Sequence, residues 1–443
     1  MDYSYKHIWK VAYPIMVSVL MNQILAMTDT AFLGRYEDGE IALGASALAG
    51  LFYTATFMLG MGLATGAQII MGRRNGAGEW HLVGSIFHHT LVLMLWFAGL
   101  LSGLILLLAP VLLPLLVGSD RLISACEEYL YWRLPGFFFA YVAVLFRAFY
   151  VGITRTKMLT VNSLIMVVCN FVFNYLLIFG NCGFPRLGIA GAALATVICE
   201  AVSMVYFLVY TRWFTDYRKY GLHILPTFHL FQFRRILHLS VWSMVQNSLS
   251  FISWFIFFLA VEHIGEMELA VTNIVRNVSS IFFIAVSALA ATASTLVSNL
   301  LGKGQSQDLF PLMRRTLLLA YAIVLPMLLF AALFPEAVLR IYTFRSDWMA
   351  FSIDSLYVLL TSYLLTVPGH ILLSSVIGTG HTRKAFQISL IAMLCYVVYV
   401  VVVIFPGDVP LPICWFSEHI YSLLTLTFSG WYFVSGRWKH VKV

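Results

Sequence analysis

The chain has 443 residues, 61% of them apolar and 11% charged, with a mean hydropathy of +0.88 and a formal net charge of +7. A soluble domain carries about a quarter of its residues charged, so a water-soluble globular fold is excluded. The six cysteines (126, 169, 182, 199, 395 and 414) make no C-x-x-C pair and no disulfide-like spacing, which leaves redox and metal chemistry without a motif.

Apolar runs near the ~20 residues that cross a hydrocarbon core recur along the whole length. They fall near 9–33, 44–71, 82–117, 125–150, 158–180, 188–211, 236–261, 268–300, 316–335, 350–379, 385–405 and 412–435. The expectation is an all-α integral membrane protein of about twelve transmembrane helices. The first run is too long for a cleavable signal peptide and lacks a small-residue cleavage site. Connections between the runs alternate in charge. One side carries Lys6 and Lys10, Arg73-Arg74, Arg155 with Lys157, Arg218-Lys219 with Arg234-Arg235, Arg314-Arg315, Arg383-Lys384, and Arg437 with Lys439 and Lys442. The other carries Glu37-Asp38, Asp120 with Glu127-Glu128, Glu262 with Glu266 and Glu268, and Asp408. The positive-inside rule makes the basic side cytoplasmic, with both termini there, in a multi-pass protein of the plasma (inner) membrane. Topology thus accounts for the basic balance; membrane lipid is an expected partner and nucleic acid is not.

Span 1 holds the most informative residue, Asp29, inside an apolar stretch over 17–33. An ionisable group at membrane depth costs roughly 2.5 kcal/mol or more, and such groups tend to mark an ion or substrate path. Asn22 shares its helical face, and Pro14 earlier in the span frees a carbonyl one turn back. That proline reads either as a static kink or as a moving hinge. His88-His89 opens span 3 without Cys or acid neighbours at ligand spacing, as interfacial pairs do. Arg147 stands in span 4 as a structural or gating element. Span 5 carries Asn170 and Asn174 and span 6 carries Thr196 and Glu200, each an i,i+4 pair on one face. Cys169 and Cys199 in these two spans read as small packing residues. Together with Asp29, the polar residues offer hard oxygen ligands suited to an alkali cation and a desolvated carboxylate suited to a proton. Asn and Thr also glue membrane helices together, but glue does not require the charge of Asp29.

A polar segment over 213–233, with Asp216, Arg218, Lys219 and Pro226, separates two related halves, 1–212 and 234–443. At an offset of about 226 residues Gly39-Glu-Ile-Ala-Leu43 aligns with Gly265-Glu-Met-Glu-Leu269, and Gly76-Ala-Gly78 with Gly302-Lys-Gly304. Gly152 matches Gly378 at the same spacing. An even number of spans per half keeps both halves in one orientation, so the two six-helix lobes are related by a parallel pseudo-twofold repeat. The second half lacks the acid of the first: its counterpart of span 1 reads Trp242-Ser-Met-Val-Gln-Asn-Ser-Leu-Ser250. Arg276 in span 8, near Asn273 and Asn277, is a second structural or gating element, with Glu262 or Glu266 as possible partners.

In order along the chain, Pro14 and Asp29, Gly34-Arg35, Gln68 with Gly76, Asn170 and Asn174 ahead of Phe179-Gly180, and Gly188-Ile-Ala-Gly-Ala-Ala-Leu-Ala-Thr196 resemble the multidrug and toxic compound extrusion (MATE) family over essentially the full length. The resemblance implies a V-shaped protein of two six-helix lobes that expels organic cations in exchange for Na⁺ or H⁺. It implies a cation site in the N-terminal lobe made by Asp29, Asn170, Asn174 and Thr196; helical geometry adds Glu200 one turn further on. Some members carry Asp where this chain has Asn174. Others carry acids in the C-terminal lobe, where this chain offers Gln246 and Thr366.

The expected function is secondary active export of amphipathic organic cations, by alternating access and with the coupling ion at Asp29. No cofactor is called for beyond the coupling ion, and a monomer is expected. One charge moving through 100 mV supplies ~2.3 kcal/mol, enough for roughly fiftyfold accumulation of a neutral substrate. No G-x-x-x-x-G-K-[ST] loop offers a nucleotide motor. The alternatives are a lipid-linked oligosaccharide flippase, which would line its path with bases such as Arg147 and Arg276, and a channel. An integral membrane lipid-modifying enzyme is a third, against which stands the lack of D-D-x-x-D and H-E-x-x-H; the chain is not expected to be an enzyme.

Overall fold

Long runs of Leu, Val, Phe and Ala, interrupted by few breakers, satisfy their backbone internally as helices, the only open-chain solution in lipid. The computed structural model describes residues 3–116, 118–223, 229–342, 346–407 and 409–440; Pro226, Asp408 and Lys442 lie outside the described residues. The first half contains α1 (Tyr5–Leu33), α2 (Gly39–Ala77), α3 (Trp80–Leu116), α4 (Asp120–Arg133), α5 (Gly136–Gly152), α6 (Lys157–Phe179) and α7 (Gly188–Phe214). The second contains α8 (Leu230–Ile264), α9 (Glu266–Gly302), α10 (Leu309–Leu333), α11 (Pro335–Leu339), α12 (Ser346–Gly378), α13 (Thr382–Tyr399), α14 (Leu411–Cys414) and α15 (Phe416–Val434). Among the described residues 10 helices are long and apolar enough to cross a membrane, or 11 if α4 and α5 form one broken span. The run near 412–435 is helical as α14 and α15, with Glu418 and His419 in the opening turn of α15.

Span 4 departs from the single helix expected over 125–150. It is bent by 51° between α4 and α5. Pro135 at the joint has no N–H to donate and disfavours helix at the residue before it. Gly136 then restarts the helix where a side chain would collide with Arg133 and Glu200.

Two compact units form, one of Val17–Met244 and the other of Met1–Met16 with Val245–Val443. The repeat is written into their packing. In the first unit the position of a Cβ on Gly152 lies 3.2 Å from the carbonyl oxygen of Gln68, so α5 runs close against α2. In the other unit Gly378 meets the carbonyl oxygen of Ser294, bringing α12 against α9. Both members of the second contact are displaced from the first by the same 226 residues. Small residues of this kind let membrane helices approach to backbone contact where no hydrophobic force drives them together.

Candidate functional site

The polar residues of spans 1, 5 and 6 meet because three small-residue and hydroxyl contacts align their helices. Gly180, at φ 74°, ends α6 in the left-handed conformation that glycine adopts freely. The chain returns at once, with Leu187 N–H donating to Leu177 O over 2.9 Å. Gly191 of α7 then sits against the backbone of Leu177. Asn162 of α6 accepts from Ser203 Oγ of α7 at 2.9 Å, and Ser163 Oγ donates to Ser18 Oγ of α1 at 2.9 Å. Phe32 of α1 meets Phe171 edge-on, with ring centroids 5.2 Å apart. Asp29 is thereby carried to the face of α6 that bears both asparagines.

Asn170 Nδ2 donates to Asp29 Oδ1 at 2.8 Å and Asn174 Nδ2 donates to the same oxygen at 2.7 Å. Asn174 Nδ2 also reaches Asn170 Oδ1 at 3.2 Å. Thr196 Oγ1 lies 3.4 Å from Asp29 Oδ2 and 3.1 Å from the carbonyl of Ala192; with one proton it serves one acceptor at a time. Both asparagines are fully buried and Asp29 is half-buried. Carboxylate, amide and hydroxyl oxygens are the hard donors that Na⁺ takes. Here both amides present Nδ2 to the carboxylate and Asn170 Oδ1 is already occupied, so of the amide oxygens Asn174 Oδ1 is the one left for a cation. The carboxylate alone is fit for a proton. Asn174 Oδ1 is buried and without a hydrogen-bond partner among the described residues, an acceptor of the kind a cation or a water satisfies.

Glu200 does not join this set. Arg133 grips it with both arms, Nη1 to Oε2 at 2.7 Å and Nη2 to Oε1 at 2.6 Å. Tyr53 of α2 donates to Glu200 Oε1 at 3.1 Å, and its ring lies 3.7 Å from the Arg133 guanidinium carbon. Tyr53 stacks in turn on Phe137, centroids 4.2 Å apart. All three polar side chains are buried, at 6% exposure for Arg133, 8% for Glu200 and 9% for Tyr53. Neither Arg133 nor Tyr53 stood out in the sequence. Arg133 closes the polar helix α4, which looks like the outer edge of a span, and no spacing rule joins residues 133 and 200. The available signal was an arginine two residues before a Pro-Gly break inside a membrane segment.

The remaining candidates lie apart from Asp29. Pro14 is inside α1 without ending it. Arg147, on α5, is half-buried and makes no hydrogen bond or ion pair among the described residues. Arg276 is exposed; its guanidinium carbon sits 4.8 Å from the centroid of the Phe258 ring and Nη2 reaches Asn273 Oδ1 at 3.4 Å, so it pairs with neither Glu262 nor Glu266. In the unit containing the second half, Gln246 Nε2 donates to Ser389 Oγ at 2.8 Å and Thr366 shares a 2.8 Å contact with Ser422. Glu418, which the sequence reading passed over, lies in the same unit within electrostatic reach of Tyr363, Tyr396 and Tyr421.

The MatE family profile matches residues 14–176 and 243–402. A probable multidrug resistance protein NorM of Thermotoga maritima is 25% identical over 98% of this chain and 93% of its own length. Another, from Pseudomonas putida, is 30% identical over 49% of this chain and 46% of its own. Among solved structures, an outward-facing multidrug resistance MATE family transporter of the MOP superfamily superposes with a TM-score of 0.88 at 18% identity, covering 99% of this chain and 97% of that one. The eukaryotic MATE transporter AtDTX14 superposes at 0.84 and 18% identity, over 98% and 96% of the two chains.

Proposed function

Because the chain belongs to the MatE family, we propose that it is a secondary active transporter that exports amphipathic organic cations in exchange for Na⁺ or H⁺. The observation that carries this reading is Asp29 held by Asn170 and Asn174, with Thr196 at 3.4 Å, inside a helix long and apolar enough to cross a membrane. Purely structural glue could use neutral groups there; the cost of a desolvated carboxylate held only by neutral donors is offset by a cation that binds it.

In this reading the coupling ion enters from the outer side and settles at Asp29, with Asn170, Asn174 and Thr196 as its other oxygen contacts. Na⁺ would take the orphan oxygen of Asn174 together with Asp29; H⁺ would sit on Asp29 itself. The same side chains tie α1 to α6 and α7, so ion binding alters how α1 is held, and Pro14 is the hinge that lets it answer. Residues 1–212 and 234–443 act as the two six-helix lobes and 213–233 as their cytoplasmic connection, with both termini on the cytoplasmic side of the plasma membrane. Arg147 and Arg276 serve as structural or gating elements. Coupling is reciprocal: an ion that weakens substrate binding is itself weakened by substrate to the same degree.

The test is efflux of a cationic dye from proteoliposomes under an imposed Na⁺ gradient and, separately, an imposed H⁺ gradient. Uphill dye movement under one of them supports the exchanger and names the ion. No dye movement under either contradicts it and favours the flippase alternative.

A further inference from the structure

The charged side chains of the first unit's polar cluster are the half-buried Asp29 and the buried Glu200 and Arg133. Tyr129 and Cys199 border the same cluster as neutral groups, and Arg133 is near enough to Asp29 for their charges to interact. Two acids and one base leave a single uncompensated negative charge. The geometry decides which acid keeps it: Arg133 spends both arms on Glu200 and its face on Tyr53. Bidentate pairing of this kind is the strongest form an arginine–carboxylate contact takes. Gly136 is part of the arrangement, since a Cβ there would strike Arg133 Nη1 and Glu200 Oε2 together. The chain is bent at that point, and the bend brings the end of α4 against α7.

From this we infer that Arg133 is a tethered counter-ion that limits the N-terminal site to one monovalent ion per cycle. It neutralises Glu200, so that Asp29 alone receives the coupling ion, and Glu200 is a positioning residue for Arg133 rather than an ion ligand. The physical reason is charge balance at membrane depth. An ion enters such a site only to the extent that it meets an unpaired opposite charge, and a second monovalent cation would find none. Glu200 has a second role. It keeps the guanidinium away from Asp29, because an arginine released beside a lone carboxylate would occupy the place of the coupling ion permanently. The inference rests on Asp29 being the coupling carboxylate, as proposed above.

The experiment compares wild type, Glu200→Gln, Arg133→Gln, Arg133→Gln/Glu200→Gln and Asp29→Asn in proteoliposomes. Each is checked for folding by melting temperature and for ion binding by the protection read as the shift in that temperature on adding Na⁺ and, separately, on lowering the pH. Glu200→Gln is expected to lose both gradient-driven dye transport and ion protection, since Arg133 then turns to Asp29. The double variant is expected to regain both, with one ion per dye by the gradient at which net flux vanishes. Arg133→Gln alone leaves two unpaired acids and is expected to double that number; one ion per dye in that variant overturns the inference. Loss of coupling in both Glu200 variants, or retention in Glu200→Gln, overturns the inference. If Glu200→Gln does not fold, the double variant decides: coupling by one ion supports the counter-ion and its absence overturns it. Coupling that persists in Asp29→Asn is a different failure, that of the reading of Asp29.

Discussion

Asn174 donates to Asp29 Oδ1 across 2.7 Å while its own buried Oδ1 has no hydrogen-bond partner among the described residues. The same amide thus braces the carboxylate through its Nδ2 and keeps a buried acceptor of its own. A hydrogen bond to a charged group contributes about 1.5–3 kcal/mol, and 1.4 kcal/mol is a factor of ten. Asn174→Leu is therefore expected to cut gradient-driven transport about tenfold or more, with the protein still folded. Transport at the wild-type rate in that variant would remove Asn174 from the site.

Gly136 lies where the grip of Arg133 on Glu200 leaves no room for a methyl group. Gly136→Ala must displace one partner of a buried ion pair, and overpacking alone costs about 1–3 kcal/mol. A lower melting temperature is expected, with a larger drop for Gly136→Val. An unchanged melting temperature for both would mean that the pair is looser than its distances indicate.

The repeat makes a differential prediction. Gly152 and Gly378 are counterparts, yet the first leaves 3.2 Å to Gln68 O while the second has no space before Ser294 O. Gly152→Ala should be absorbed by a shift of a few tenths of an ångström. Gly378→Ala should separate α12 from α9 and destabilise the protein clearly. Equal losses of melting temperature in the two variants would contradict this ordering.

His381, in the connection between α12 and α13, has Nδ1 3.2 Å from the Tyr432 hydroxyl. Burial, and then the positive charge of Lys384, hold its pKa below the ordinary value of 6.5. A base with a depressed folded pKa takes up its proton more readily in the unfolded chain, so its contribution is complete well above pH 6.5 and declines as pH falls below that value. His381→Gln should flatten the acid side of the stability profile. A profile that keeps its slope below pH 6.5 in the variant would assign the effect to another group.

Much of this was legible in the chain. The apolar runs marked where the long helices lie, because period and length suffice when every backbone group must bond internally. Their ends were off by up to seven residues, at the start of α10 (309 against 316), and span 4 was read as one helix. Asp29, Asn170, Asn174 and Thr196 could be grouped through a family resemblance carried by their order, and the structure brings them together. Glu200 lies one turn beyond Thr196, and helical geometry alone grouped it with them. Its partner comes from α4, whose last residue is turned inward by a bend that only the Pro135-Gly136 pair announces. Pairings between helices distant in sequence leave no periodic trace in one chain. Glu418 was missed for a simpler reason: it stands in the opening turn of α15, where an acid commonly complements the helix dipole.

The most direct measurement is uphill transport of a cationic dye by wild type and Asp29→Asn side by side, with the driving ion's gradient imposed and the substitution shown to leave the fold intact. The account predicts that gradient-driven dye movement disappears in Asp29→Asn. Coupled transport that survives the substitution would contradict it.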